Sequence, residues 1–316
     1  MVITSIILAL LAAVGLAVGT HLQHHAVRTG SSADTKPLVL RPLWLVGLTL
    51  LGLETVLNIA ALGLGPVALV QPVGAVSLVV AIAISMKVLR LRMTWPMAGS
   101  MVLTLGGVAG FVAVSAHNSQ TASLVPGTLT WLNGLLILFS LVGAVLAATG
   151  ASHLVLVALA GLTFGTVAAS VHVVASSVMG AINSGGGLAS AFDLVLHGML
   201  LTVIAIVLAS AVGIWVVQAA YASGPPETVL AGLTVVDPMM AVFIGAVVLG
   251  EYGNLSAAAL TGLLLTGAAA VVGVVLLARS HPGLGNAPTQ TTTPRAERPA
   301  ALPRRSSQLQ MSVPSR

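Results

Sequence analysis

Two carboxylic acids stand inside long apolar stretches of this chain, Glu54 and Asp237, and no Lys or Arg falls within either stretch to pair with them. An acid at the centre of an apolar, membrane-length segment costs about 2.5–3.5 kcal/mol on insertion scales, so such groups tend to be retained for use. Around them lie other groups that can hold a proton or a cation: Asn58 one helical turn after Glu54, Gln71 beside Pro72, and Pro238 directly after Asp237. A proline inside a helix removes one backbone donor and leaves the carbonyl four residues earlier without its partner. The expected chemistry is therefore binding of a proton, a cation or a small polar group by Glu54, Asn58, Gln71, Pro72, Asp237 and Pro238. His172, inside a later apolar run, joins this set as a proton relay or as a hydrogen-bonded core histidine.

The remaining chemistry-bearing residues are weaker. His21, His24 and His25 spell His-x-x-His-His after the first apolar run. Di-iron membrane enzymes need several such boxes, and the other five histidines here are scattered singly. The expectation is interfacial histidines with weak metal affinity at most. Asp193 and His197, one turn apart, read as an interfacial pair. No cysteine is present, which excludes thiolate metal sites and Cys nucleophiles. No paired-acid, triad, phosphate-loop or dinucleotide-binding pattern points to an enzyme or a resident cofactor. Protons or Mg2+ enter only as coupling or transported ions.

The elements that must position these groups follow from composition. Of 316 residues, 57% are hydrophobic and only 6% charged, where a soluble domain carries about 25% charged residues. Apolar runs of about 20 residues match a hydrocarbon core about 30 Å thick. The expectation is an all-α, multi-pass protein of about nine transmembrane helices: roughly Val2–Thr20, Leu43–Leu62, Val67–Met86, Pro96–Ser115, Leu129–Ala148, His153–Met179, Leu194–Val217, Thr228–Leu249 and Ala257–Ala278. The Gly185-Gly186-Gly187 stretch reads as a flexible loop. After Arg279 the chain turns to Pro, Thr, Ser, Gln and Arg and reads as a disordered tail.

Charge placement supports this division. With nine spans, all twelve Lys and Arg fall on one side: Arg28, Lys36 and Arg41, then Lys87, Arg90 and Arg92, then six in the tail. The positive-inside rule puts the C-terminus in the cytoplasm and the N-terminus outside. The pI near 10.8 then reflects topology and anionic lipid rather than nucleic acid, which is excluded as a partner.

The chain also repeats itself. Ala61–Pro66 leading to Gln71-Pro72 resembles Ala220–Pro225 leading to Asp237-Pro238, and 13 residues after each internal proline comes a hydrophilic boundary, Ser85 or Glu251. A glycine-rich span follows in each, with Gly106, Gly107 and Gly110 in one and Gly262, Gly267 and Gly273 in the other. The span count sets these two copies in opposite orientations. Residues 1–115 form a first half of four helices, 116–278 a second half of five, and 279–316 the basic tail. Inverted repeats with interrupted helices are a design of secondary transporters, with the site near mid-membrane between the halves.

The run Gly224–Pro238, closing on Leu249-Gly250-Glu251, resembles the end of a repeat of the drug/metabolite transporter (EamA-like) superfamily. Trp44, Gly52, Glu54, Asn58 and the stretch Pro66–Ser77 resemble the NIPA-type magnesium transporters, a branch of it, although Glu54 and Asn58 stand four apart rather than three. The resemblance spans roughly residues 2–278. It implies ten helices in two five-helix repeats, of which this chain would lack the first. The implied function is secondary transport in the plasma (cell inner) membrane: proton-coupled export of a small organic metabolite or cationic drug, with magnesium or divalent-cation transport as the alternative. A lipid-handling or scaffold subunit is the alternative of another class. Expected partners are membrane lipid, the transported molecule or cation and, as an option, a second copy of the chain.

Overall fold

The computed structural model describes residues 2–29, 41–89, 93–120, 126–224, 226–253 and 255–280. The apolar runs form helices because only a helix satisfies every backbone N–H and C=O within one segment when no water is at hand. In chain order these are α1 (Val2–Thr29), α2 (Pro42–Leu64), α3 (Val67–Val73), α4 (Val76–Leu89), α5 (Trp95–Asn118), α6 (Thr128–Ala148), α7 (His153–Ala181), α8 (Gly187–Asp193), α9 (Leu200–Ser223), α10 (Pro226–Val247) and α11 (Ala257–Ser280). Prolines open several of them, at Pro42 and at Pro96 in the first turn of α5, where a missing N–H costs nothing.

Seven uninterrupted apolar runs among the described residues are long enough to cross a membrane. One of them, His153–Ser223, covers 71 residues and would stretch roughly 100 Å as a straight helix. It instead folds back, so that α7 and α9 pack side by side. The reversal passes through wide π-type turns at Ile182–Gly186 and Leu194–Met199 that flank α8. The three glycines expected as a flexible loop are part of this irregular helix. Gly185 (φ 89°) and Gly187 (φ 62°) take up left-handed conformations that most side chains avoid.

Large apolar side chains point outward along the helices. Leu141 is 61% exposed, Leu201 70% and Leu264 64%. A soluble protein would cover such surfaces; a bilayer is their natural solvent. Inside, packing relies on small residues. The closest approach is between α5 and α11, where a Cβ on Gly107 would stand 2.9 Å from the Thr266 carbonyl and closer still to the Ala270 backbone. Gly107 and Gly110 make this contact, whereas Gly106 has open space beside it.

The helix connections gather at two ends of the bundle. At the first, Ser5 lies against Gly65, and the Gln120 backbone N–H donates to the Glu251 carbonyl at 2.6 Å. At the second, Arg41 donates to the Ala26 carbonyl at 2.9 Å, His153 meets the Ala220 carbonyl at 2.9 Å, and Met86, Met97 and Leu277 pack together. The basic residues Arg41, Lys87 and Arg279 all belong to helix ends at this second end. Lys36, Arg90, Arg92 and the tail beyond Ser280 lie outside the described residues.

Candidate functional site: an apolar cavity and a buried polar junction

The α3–α4 span is interrupted where Gln71-Pro72 predicts it. Pro72 falls within α3, and tight turns carry the chain to α4, with the N–H of Gly74 bonded to the Gln71 carbonyl and that of Ala75 to the Pro72 carbonyl. Pro238, its repeat counterpart, sits inside α10 without ending it. Both prolines face one half-open cavity of about 580 Å3, lined by α3 and the turn after it, α5, α10 and α11, with Met239, Phe243 and Leu264 at its open, outward side. Phe111, Met239, Phe243 and Leu264 supply much of its wall, which is almost wholly apolar. Gly267 widens it: a Cβ there would make only ordinary contact, 3.4 Å from the Phe111 ring.

The other predicted site residues are not part of its wall. Asp237 precedes Pro238, and its Oδ1 is buried without a hydrogen-bond partner among the described residues. The Asp237 backbone carbonyl presses on α7, where a Cβ on Gly165 would stand 2.5 Å from it. Glu54 is half-buried on α2, next to Gly15 of α1, and receives a long 3.4 Å contact from the Thr55 hydroxyl. Asn58 and Gln71 are partly buried on α2 and α3. His21 and His25 stack with ring centroids 6.4 Å apart, while the His24 side chain lies outside the described residues. Among the described residues no three His, Asp or Glu converge to hold a metal ion. Asp193 and His197 pair at 2.9 Å on the surface, as their spacing predicts.

His172 has a fuller role, and it brings in a residue that sequence reasoning treated only as a boundary, Glu251. The turn Gly65-Pro66 between α2 and α3 strands three backbone groups. The Leu62 carbonyl loses its helical partner because residue 66 is proline, and the N–H groups of Val67 and Ala68 open a new helix with nothing behind them. His172, 3% exposed, places Nδ1 against the Leu62 carbonyl. Glu251, fully buried, accepts from the Val67 N–H at 2.7 Å and from the Ala68 N–H at 2.9 Å. The two side chains also meet, His172 Nε2 standing 3.2 Å from Glu251 Oε1 with no hydrogen bond formed between them.

Glu251 is delivered by the end of α10. Gly250 turns the chain through φ 63°, after which the Glu251 N–H bonds back to the Gly245 carbonyl. Gly245 has to lack a side chain, because a Cβ there would come within 2.5 Å of Glu251 Oε2. Tyr252, next in sequence, bonds to the Ser115 hydroxyl of α5. Burial pushes the Glu251 carboxyl up to about 7, against the downward pull of its two backbone donors. Burial likewise raises the Tyr252 phenol to about 12.

A signal for Glu251 was present in the sequence. It is an acid within a stretch that has no Lys or Arg from Met93 to Ala278, and it stands between Leu249-Gly250 and Tyr252. No basic partner was available to it there, so a buried destination had to be satisfied by backbone donors and histidine.

The junction and the cavity adjoin. Ala68 and Tyr252, neighbours of the carboxylate, pack in one cluster with Phe111 and Leu263, which line the cavity. No family model, curated protein or solved structure matches this chain.

Proposed function

We propose that this chain is a secondary active transporter of the plasma membrane with nine spans, an outside N-terminus and two inverted halves. Its cargo is a small organic molecule with substantial apolar surface, such as a lipophilic cation, exported against protons by alternating access. The observation that carries this reading is the cavity. It is large enough for a drug-sized ligand, and the prolines of both repeat copies, Pro72 and Pro238, face it.

Further features support the two-half arrangement. The glycine-rich helices matched by the repeat, α5 and α11, pack directly against each other, and α3 packs against α10. The described helices alternate in direction between the two ends of the bundle, and the described basic residues collect at one of them. The resemblance to drug/metabolite transporters implies the same design. The apolar wall favours organic cargo over magnesium, which prefers oxygen ligands in octahedral array; Glu54 and Asn58 lie on α2, away from that wall. Asp237, with a partnerless buried oxygen beside Pro238, is the mid-span acid placed to exchange a proton as cargo moves.

The test is efflux of a fluorescent lipophilic cation from proteoliposomes under an imposed pH gradient, with empty vesicles as control. Gly267→Leu fills the cavity, and at a helical position it also removes a glycine cost of about 1 kcal/mol. Gradient-driven efflux above the control that falls at least tenfold in folded Gly267→Leu is the expected result. No efflux of any cation in a chemically varied panel would favour a scaffold or lipid-handling subunit instead.

A further inference from the structure

We infer that Glu251 and His172 form a single buried proton-binding site that latches the basic-poor end of the bundle. The site itself stands on geometry; its use in export rests on the transporter reading above.

The argument is one of donors and acceptors. The Leu62 carbonyl can only accept, so His172 must carry its hydrogen on Nδ1. A neutral ring then presents the Nε2 lone pair to Glu251 Oε1, 3.2 Å away. Both carboxylate oxygens are already oriented by backbone donors, Val67 N–H on one and Ala68 N–H on the other. With the carboxyl ionised and the ring neutral, two lone pairs face each other in a buried site. The arrangement is relieved by one proton, held on the carboxyl or on Nε2. The pair therefore titrates as a unit, and its proton belongs to both residues. Other groups around it are few: Tyr252, bonded to Ser115, is the ionisable neighbour on its own segment, and α2 and α3 contribute backbone groups only.

The shared proton sits between two pairs of elements that backbone contacts already join. His172 belongs to α7, Leu62 to α2, Val67 and Ala68 to α3, and Glu251 to the end of α10. Loss of the proton sets Glu251 against His172, and Glu251 parts from α7 while the start of α3 stays bonded to the carboxylate. Ala68 and Tyr252 pass that movement to Phe111 and Leu263 in the cavity wall. A proton arriving from the solution at this end closes the latch, and its departure opens it.

A glutamine at 251 separates this role from a merely structural one. Its carbonyl can accept from the Ala68 N–H while its amide, at the Oε1 position, donates to Nε2; it removes the titrating proton and keeps that contact, but gives up the acceptor of the Val67 N–H. Full-length protein in lipid nanodiscs is titrated from about pH 5 to about pH 9 without cargo, and bound protons are counted. Glu251→Gln is expected to fold and to lose one titration step, and His172→Gln to move that step by more than one pH unit. Amide exchange at Val67 and Ala68, corrected for its intrinsic pH dependence, should slow across the step in wild type, because the ionised carboxylate holds both donors more tightly, and stay flat in Glu251→Gln. An unchanged titration in Glu251→Gln, a step insensitive to His172→Gln, or flat exchange in wild type would each overturn the inference. Because no cargo is present, failure of the transport reading leaves these outcomes intact.

Discussion

The two buried regions of this molecule are built on opposite terms. The junction around Glu251 is polar because the chain reverses there, and each backbone group stranded by Gly65-Pro66 is met by a side chain from a distant helix. The cavity between α5, α10 and α11 is apolar, and α10 passes Pro238 without a break. The difference separates tasks. On the proposed reading, a latching proton sits where the backbone is interrupted, apart from Asp237 beside Pro238, and cargo occupies the apolar space beside unbroken α10.

The largest effect should come from breaking the junction without replacing its hydrogen bonds. Glu251→Ala leaves two buried N–H groups unpaired, at about 1–3 kcal/mol each. Thermal unfolding followed by tryptophan fluorescence should show a loss of roughly 2–6 kcal/mol, recovered in part in Glu251→Gln, whose single carbonyl oxygen serves one of the two donors. Equal loss in both variants would mean that charge, rather than donor satisfaction, holds the junction.

A smaller loss is expected at the α5–α11 contact. Gly107→Val has no room against Ala270, and overpacking of this kind costs about 1–3 kcal/mol. The cavity side of the same helix pair should respond differently, Gly267→Leu being tolerated. If both variants destabilise equally, the cavity is not the open space that the geometry describes.

The pH dependence is smaller again and has a definite sign. The folded Glu251 carboxyl is raised to about 7 from 4.5, so the fold favours its protonated form. That contribution is complete below about 4.5 and is lost as pH rises through about 7. Unfolding temperature should fall across that window in wild type and be flatter in Glu251→Gln. The exposed Asp193–His197 pair marks the lower bound: His197→Ala should change stability by under about 0.5 kcal/mol.

Much of the architecture was legible in the sequence because bilayer-length apolar runs leave few alternatives. Helix starts at Pro42 and Trp95, the Gly65-Pro66 turn and the interruption at Pro72 were all local signals. The reversal was read at Gly185–Gly187, but its helical form at 182–199 was not, since glycines that loosen a loop in water can widen a helix where backbone groups must bond internally. Of the candidate site residues, Pro72 and Pro238 do meet at one cavity. The partner of His172 could not be read, because Glu251 lies 79 residues away and acquires its meaning only when α10 ends beside the start of α3.

The account turns on cargo and proton occupying different places, and one comparison tests this directly. Wild type and Glu251→Gln are reconstituted side by side, and both equilibrium binding of a lipophilic cation and its efflux under a pH gradient are measured. Unchanged binding with at least a tenfold loss of gradient-driven efflux in Glu251→Gln is the predicted result. Efflux at the wild-type rate, or binding lost together with efflux, would contradict it.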